Sequence, residues 1–254
     1  MLGVIVHMPV PQQIIDRLAL CVQPLVFETE IVDFPYSTRG TVFLVGYKGK
    51  PYVLTARHAL KPEYPVPICV FPSDTSHRLI PLKDGFFVPY ADVDEDFVDI
   101  AAIAIDTMSI THPEVAAATL IDLALVCGDW KSCAEEARFF ILGYPEERSM
   151  INVETQELRT DRVVLFGRYA GLSSLPYLHL FRVSDSRALQ TFSGFSGGPV
   201  FAWIERPKQR IAPFLCGMAL RGTPESGLIH FLDRDVLLDV LAVKCRVEQR
   251  AIQG

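Results

Sequence analysis

Short apolar runs separated by turn residues dominate the pattern of hydrophobic and polar positions along this chain. Residues 41–45 and 52–56 are apolar and β-branched, and the turn-like sequence 47–50 lies between them, which predicts a hairpin that runs into His58. Further strands are predicted around 66–71, 78–82, 86–88, 97–105, 139–142, 162–166, 178–183, 198–203, 211–220 and 228–232. Many short strands with turns between them are typical of barrels and sandwiches.

Helical spacing of apolar residues is confined to the two ends of the chain. Residues 11–22 show this spacing, and Pro11 could begin the helix. Asp233 is a candidate N-cap for a second amphipathic helix that follows it. The Ala-rich segment 111–138 interrupts the strands and indicates a connector. We therefore expect an all-β protein with two runs of strands, a short helical segment near the start and a helix at the C-terminal end.

Composition and charge exclude several classes of protein. Half of the 254 residues are hydrophobic, so the chain can bury a sizeable core and is not globally disordered. A net charge of −6 argues against nucleic acid as the main partner. The most apolar stretch, 115–127, is too short to span a bilayer, so no membrane partner is expected. No Lys or Arg precedes Arg17, so we expect no secretory signal and a cytoplasmic location.

Metal and disulfide chemistry have little support in the sequence. The six cysteines lack any paired spacing, so free thiols are expected. The acidic run 92–96 resembles a fragment of a calcium loop but lacks its glycine and terminal glutamate, which favours a solvated loop over a metal site. No cofactor and no metal are predicted.

Three segments carry residues suited to nucleophilic catalysis. His58 ends a predicted strand, Asp99 opens a buried one, and Ser196 lies in the glycine-rich turn Gly194-Phe-Ser-Gly-Gly-Pro199. Each alone is most often a polar strand end, a cap or a tight loop. Together they could activate a serine, since an imidazole takes the hydroxyl proton and a carboxylate orients the imidazole. The N–H groups of Gly194 and Ser196 could then stabilise an oxyanion.

These segments resemble the trypsin/chymotrypsin-like serine protease family, and more closely its bacterial-type members. The segment LTARH, which ends at His58, is similar to the family's L-T-A-A-H. The segment DIAAIAI, which begins at Asp99, is similar to D-I-A-L-L, and GFSGGP around Ser196 is similar to G-D/N-S-G-G-P. The order of His58, Asp99 and Ser196 is also that of the family. Weaker similarities in GTVFLV at 40–45, FILGYP at 140–145 and GMALRG at 217–222 extend the resemblance.

The resemblance implies two packed six-stranded antiparallel β-barrels, with His58 and Asp99 from the first barrel and Ser196 from the second. The segments it implies are an N-terminal extension 1–37, a first barrel 38–110, the connector 111–138, a second barrel 139–232 and a C-terminal helix 233–254. The candidate docking or regulatory element is the extension, unless it merely packs on the barrels.

The resemblance also implies a serine endopeptidase that cleaves a protein or peptide substrate through an acyl-enzyme. Gly194 and Ser196 would form the oxyanion hole. The substrate-binding residues would be Leu189 at the pocket floor, Leu220, Arg221 and Gly222 along the substrate strand, and Gly227 at the pocket wall. An apolar floor predicts cleavage after Leu, Val, Phe or Met, unless Asp185 or Glu225 reaches the pocket from its rim.

Two departures from the family pattern concern regulation. Leu60 stands where secreted animal members have a cysteine, and Phe195 stands where zymogen-type members have the aspartate that pairs with a new N-terminus. Both departures fit an intracellular member controlled by a protein partner or by rearrangement of the loop 192–196. A dormant or degenerate protease fold that serves as a binding or regulatory module is the alternative, and an esterase or acyl transferase on the same residues is a third hypothesis.

Overall fold

The computed structural model describes residues 10–29, 31–32, 35–60, 67–87, 99–152, 154–155, 157–175, 177–204 and 213–253. The acidic run 92–96 and the outer residues of the strands predicted near 66, 88, 97 and 211 lie outside these ranges. Among the helices that the structure describes, none combines the length and the apolar character that a membrane crossing demands.

The first half of the chain forms one curled sheet. Its elements are α1 Gln12–Ala19, β1 Val22–Glu28, β2 Tyr36–Tyr47, β3 Lys50–Thr55, α2 Arg57–Leu60, β4 Ile68–Cys69, β5 Leu82–Phe87, β6 Ala101–Ile105, α3 Pro113–Ala116, β7 Ile121–Asp122 and α4 Leu123–Val126. The strand order is β4-β1-β2-β3-β6-β5, and β7 pairs in parallel with β2. Among the described residues β4 and β5 do not pair, so these residues do not show the closed first barrel that the resemblance implies.

Strand β1 lies in the segment that the resemblance assigns to an N-terminal extension. It pairs along its whole length with β2, from Val22 opposite Phe43 to Glu28 opposite Tyr36. Its residues are buried up to Phe27. This part of the extension is therefore an integral strand of the first sheet. Helix α1 precedes it where the apolar spacing predicts a helix, although it ends at Ala19.

The second half of the chain forms a closed barrel. Its elements are β8 Arg138–Gly143, β9 Ser149–Asn152, β10 Glu157–Thr160, β11 Val163–Leu172, β12 Leu178–Val183, β13 Pro199–Trp203, β14 Phe214–Thr223, β15 Leu228–Asp233 and α5 Arg234–Gln253. The barrel closes in the order β11-β12-β15-β14-β13-β8, which confirms the predicted six-stranded barrel in this half. The hairpin of β9 and β10, which the sequence pattern does not predict, lies outside it.

Helix α5 ties the two halves together. Its buried stripe, Val236, Leu237, Val240 and Leu241, belongs to a hydrophobic core that also contains residues of both sheets. The Tyr52 hydroxyl on β3 lies 3.0 Å from the Cys245 sulfur on the helix. Burial raises the pKa of the Cys21 thiol to about 12 and that of Cys69 to about 11, and all six cysteines are free thiols.

Asp233 anchors the start of α5 inside the second barrel. One carboxylate oxygen accepts the Asp235 N–H at 2.9 Å and caps the helix, as the sequence predicts. The other accepts a hydrogen bond from His179 Nε2 at 2.7 Å and pairs with Lys131. Burial alone would raise the pKa of Asp233, but these donors outweigh it and lower the pKa to about 2.

This carboxylate predicts a specific loss of stability in acid. Because its pKa is lower in the folded chain, its contribution is complete above about pH 4 and is lost as the pH falls towards 2. Asp233→Asn should lower the free energy of unfolding by about 2 kcal/mol at pH 7 and flatten its slope between pH 4 and 2. Denaturant titrations across this pH range measure both quantities. Asp235→Asn, which alters an exposed carboxylate, is the control. A wild-type pH slope in Asp233→Asn would contradict the prediction.

Candidate active site

His58 and Asp99 meet at one end of the first sheet. Strand β3 ends at Thr55, opposite Ala101 of β6, so the residues that follow β3 lie beside those that precede β6. His58 Nδ1 lies 2.6 Å from one Asp99 carboxylate oxygen, and the His58 backbone N–H donates to the other at 2.9 Å. An ionised carboxylate only accepts hydrogen bonds, so Nδ1 carries the proton and Nε2 is left as a base. The His58 side chain is 49% exposed and that of Asp99 is 14% exposed.

Ser196 lies in the turn that precedes β13 in the second barrel. Its hydroxyl donates a hydrogen bond of 2.6 Å to the carbonyl oxygen of Leu220 on β14. Ser196 and His58, both of which the structure describes, do not hydrogen-bond to each other. The hydroxyl is therefore directed towards the edge of β14 and is not hydrogen-bonded to the imidazole.

The backbone carbonyls of the loop 192–196 are all hydrogen-bonded. The donors are Phe195 N–H to Phe192, Glu146 N–H to Ser193, the Thr41 hydroxyl to Gly194, Gly198 N–H to Phe195 and Thr41 N–H to Ser196. Their donor–acceptor distances run from 2.7 to 3.2 Å, the usual range for hydrogen bonds. The direction of every peptide plane in this loop is thereby fixed.

The N–H groups of the same loop alternate between bonded and free. Ser193 donates to the Thr191 hydroxyl, Phe195 to Phe192 and Gly197 to Ala219. Gly194 and Ser196 donate to no residue that the structure describes. In a trans peptide the N–H points away from the preceding carbonyl, so the bonded carbonyls of Ser193 and Phe195 direct these two N–H groups outwards. They are the two donors that the sequence predicts for an oxyanion.

Glycine is required at two positions of this turn. Gly194 has φ +93° and Gly197 has φ +87°, in the left-handed region that favours glycine. A Cβ on Gly194 would collide with the Tyr144 carbonyl, and one on Gly197 with the Thr41 carbonyl. The Gly-rich motif therefore lets the loop approach both the first sheet and the end of β8.

Among the described strands, none pairs with the edge of β14 beside Ser196. Strand β13 pairs with β14 only as far as Met218, whereas β15 continues beside it to Thr223. A bulge sets Leu220 outside the ladder with β15, and its carbonyl faces Ser196 instead. Arg221 and Gly222 follow along the same open edge. This is the geometry that an added antiparallel strand needs.

A shallow depression lies beside Ser196. It is too narrow to admit a water molecule. Its lining comprises Phe192, Phe195, Ser196, Ala219, Leu220, Arg221, Gly222 and Ile229. The structure therefore brings Leu220, Arg221 and Gly222 to Ser196 as the sequence predicts. Phe192, Ala219 and Ile229 are lining residues that the sequence does not reveal.

The predicted pocket floor and wall do not line this depression. Leu189 is buried among the apolar side chains of the second barrel's core. Gly227, at φ +64°, closes the turn between β14 and β15 by donating to the Thr223 carbonyl. Asp185 accepts the Arg187 N–H at 3.3 Å, and neither it nor Glu225 lines the depression. Within the described ranges, no group of three or more His, Cys, Asp or Glu side chains could hold a metal ion.

Comparison with known proteins supports the fold. No protein-family model matches the chain, and no curated protein matches its sequence. A solved structure described as an HtrA-type protease AlgW with tripeptide is similar, with a TM-score of 0.52 and 16% sequence identity. The match covers 92% of this chain and 63% of that one, so the chain spans less than two thirds of the similar protein's length. The described chain therefore has the β-barrel fold of HtrA-type, trypsin-like serine proteases.

Proposed function

We propose that the chain is a serine endopeptidase in which Ser196 is the nucleophile, His58 the general base and Asp99 the group that orients His58. The alternation of N–H groups in the loop 192–196 carries this proposal. A loop that satisfies every carbonyl yet leaves the N–H groups of Gly194 and Ser196 without an acceptor supports stabilisation of negative charge beside the Ser196 hydroxyl.

A peptide would bind as an added strand along the open edge at Leu220 to Gly222. One of its N–H groups would donate to the Leu220 carbonyl, which the Ser196 hydroxyl occupies in the resting chain. This competition would release the hydroxyl towards His58 Nε2. The similar structure contains a tripeptide, which agrees with a peptide substrate.

The reaction would then proceed without a cofactor. As Ser196 Oγ attacks the scissile carbonyl, its proton passes to His58 Nε2, and Asp99 stabilises the imidazolium. The N–H groups of Gly194 and Ser196 hold the oxyanion of the tetrahedral intermediate. His58 next protonates the leaving amine, which yields an acyl-enzyme. Water, activated by the same imidazole, hydrolyses the acyl-enzyme and restores the resting serine.

Substitution of the nucleophile tests the proposal. Ser196→Ala should lower turnover of a peptide substrate on the order of a million-fold, as in other enzymes with this constellation, and should abolish labelling by a fluorophosphonate. Ser193→Ala in the same loop is the matched control and should keep both properties. Equal labelling of wild type and Ser196→Ala would contradict the proposal. Hydrolysis of small esters but not of long peptides would favour an esterase or acyl transferase.

A dormant regulatory module is the second candidate, because the Ser196 hydroxyl is turned towards Leu220 and the adjacent depression is closed. In this form of the proposal, a protein partner opens the loop 192–196, and the candidate docking element is the part of the extension 1–37 that does not belong to the buried strand β1. The free thiols are consistent with the cytoplasmic, reducing compartment that we propose for the chain. Fluorophosphonate labelling that begins only after a peptide or partner is added would favour dormancy. Rapid labelling of the purified chain alone would exclude it.

The apolar lining of the depression predicts substrate specificity. Phe192, Ala219 and Ile229 offer no charge to a Lys or Arg side chain, so cleavage is expected after Leu, Val, Phe or Met. Phe192→Ala should enlarge the depression and raise kcat/KM for Phe relative to Val at the cleaved position. A peptide library analysed by mass spectrometry measures both preferences. Cleavage mainly after Lys or Arg would refute this specificity.

A further inference from the structure

We propose that Thr41 on β2 is a positioning residue: it holds the Gly194 and Ser196 carbonyls, and thereby the conformation of the loop that presents the Gly194 and Ser196 N–H groups to the oxyanion. This inference rests on the proposed function, because it assigns Thr41 a part in the same site. Thr41 does not line the depression beside Ser196 and carries no group that would meet the substrate. Its effect would pass through the loop 192–196.

Thr41 uses all of its polar groups on the residues around it. Its hydroxyl donates to the Gly194 carbonyl at 2.7 Å and accepts the Tyr144 N–H at 3.0 Å. Its backbone N–H donates to the Ser196 carbonyl at 2.9 Å, and its own carbonyl accepts the Thr55 hydroxyl at 2.8 Å. The side chain is fully buried, so water does not compete for these hydrogen bonds.

The direction of the Thr41 hydroxyl is set by the Tyr144 N–H. Because the hydroxyl oxygen accepts from Tyr144, its single proton is free to point at the Gly194 carbonyl. Tyr144 is itself held firmly, since its ring hydroxyl donates to Asp74 at 2.6 Å and Arg162 donates to that hydroxyl at 3.0 Å. The Thr41 hydroxyl is therefore a fixed donor.

Thr41 and Glu146 together fix both peptide planes that flank Gly194. The Glu146 N–H donates to the Ser193 carbonyl, and this directs the Gly194 N–H outwards. The Thr41 hydroxyl donates to the Gly194 carbonyl in the next peptide plane. The two planes set Gly194 at φ +93°, a conformation with little intrinsic preference of its own. Without the hydroxyl, the buried Gly194 carbonyl would lack its donor and the plane would be free to rotate.

Two substitutions separate the hydroxyl from the shape of the side chain. Thr41→Val keeps the branched shape but removes the hydroxyl, and Thr41→Ser keeps the hydroxyl on a smaller side chain. We expect Thr41→Val to lower kcat on a peptide by about 100-fold, the loss typical of one missing oxyanion donor, with KM changed less than about threefold. Thr41→Ser should stay within about fivefold of wild type. Thr38→Val, on the same strand, is the matched control.

A readout that needs no catalysis accompanies the kinetics. Hydrogen exchange of the Tyr144 and Glu146 amides reports whether the loop contacts persist. Their exchange should be at least about tenfold faster in Thr41→Val and unchanged in Thr41→Ser and Thr38→Val. If wild type neither hydrolyses peptides nor labels with a fluorophosphonate, the proposed function fails, and this exchange pattern alone decides whether Thr41 positions the loop.

Three results would overturn the assignment of Thr41. The first is unchanged exchange in Thr41→Val. The second, in an active wild type, is faster exchange with wild-type kcat, since the loop contacts would then have no bearing on the oxyanion. The third is an equal loss of kcat in Thr41→Val and Thr41→Ser, which would assign the effect to side-chain shape. A selective loss of kcat in Thr41→Val, restored in Thr41→Ser, would support it.

Discussion

Hydrogen bonds from the first sheet complete the set of donors that holds the loop 192–196 in place. A buried backbone carbonyl without a donor is costly, so a loop with five carbonyls turned into the protein must find five donors. Three come from the second half of the chain, and Thr41 of the first sheet supplies the other two. The N–H groups of Gly194 and Ser196 point outwards because the Ser193 and Phe195 carbonyls that precede them are held by Glu146 and Gly198 of the second half. Packing of the two halves then adds Thr41, which holds the Gly194 and Ser196 carbonyls and completes the loop.

The Leu220 carbonyl has a similar central place in the candidate site. A bulge lifts it out of the ladder with β15, and the Ser196 hydroxyl occupies it in the resting chain. His58 and Asp99 are already joined across the end of the first sheet. Under the proposed function, His58 would be the base and the Gly194 and Ser196 N–H groups the oxyanion donors, and the Ser196 hydroxyl is the group that would still have to move. The Leu220 carbonyl would then link binding of a substrate strand to the position of the Ser196 hydroxyl.

Local sequence was sufficient for the features that depend on local pattern. The hairpin into His58, most strands of the second half and the cap at Asp233 follow from apolar patterning, turn residues and capping chemistry, whereas the barrel is implied by the family resemblance. The pairing of His58 with Asp99 could be expected from motifs in a known order. Strand β1 could not be predicted in this way, because Pro24 lies inside it. Proline lacks the backbone N–H that a strand residue donates, so the sequence pattern does not indicate a strand there.

The features that the sequence does not predict depend on contacts between residues far apart in the chain. The family resemblance implies Leu189 at a pocket floor, and the structure buries its side chain in the core of the second barrel, a contact that the sequence does not reveal. Thr41 carries only the signal of a β-branched strand residue, and nothing near it in sequence indicates a carbonyl 153 positions away. Phe192 and Ile229 likewise meet only when the barrel closes. Such pairings are set by tertiary packing, which propensity and periodicity do not encode.

The long reach from Thr41 to Gly194 has a consequence during synthesis. The ribosome releases the first sheet before the second barrel exists, and the second barrel can close around β8, β13 and β14 without completing the loop 192–196. Only the docking of the two halves supplies the last two donors. A half-folded chain would therefore carry Ser196 in a loop that lacks two of its five carbonyl donors. In a peptidase, that delay would protect the nascent chain and its neighbours from premature cleavage.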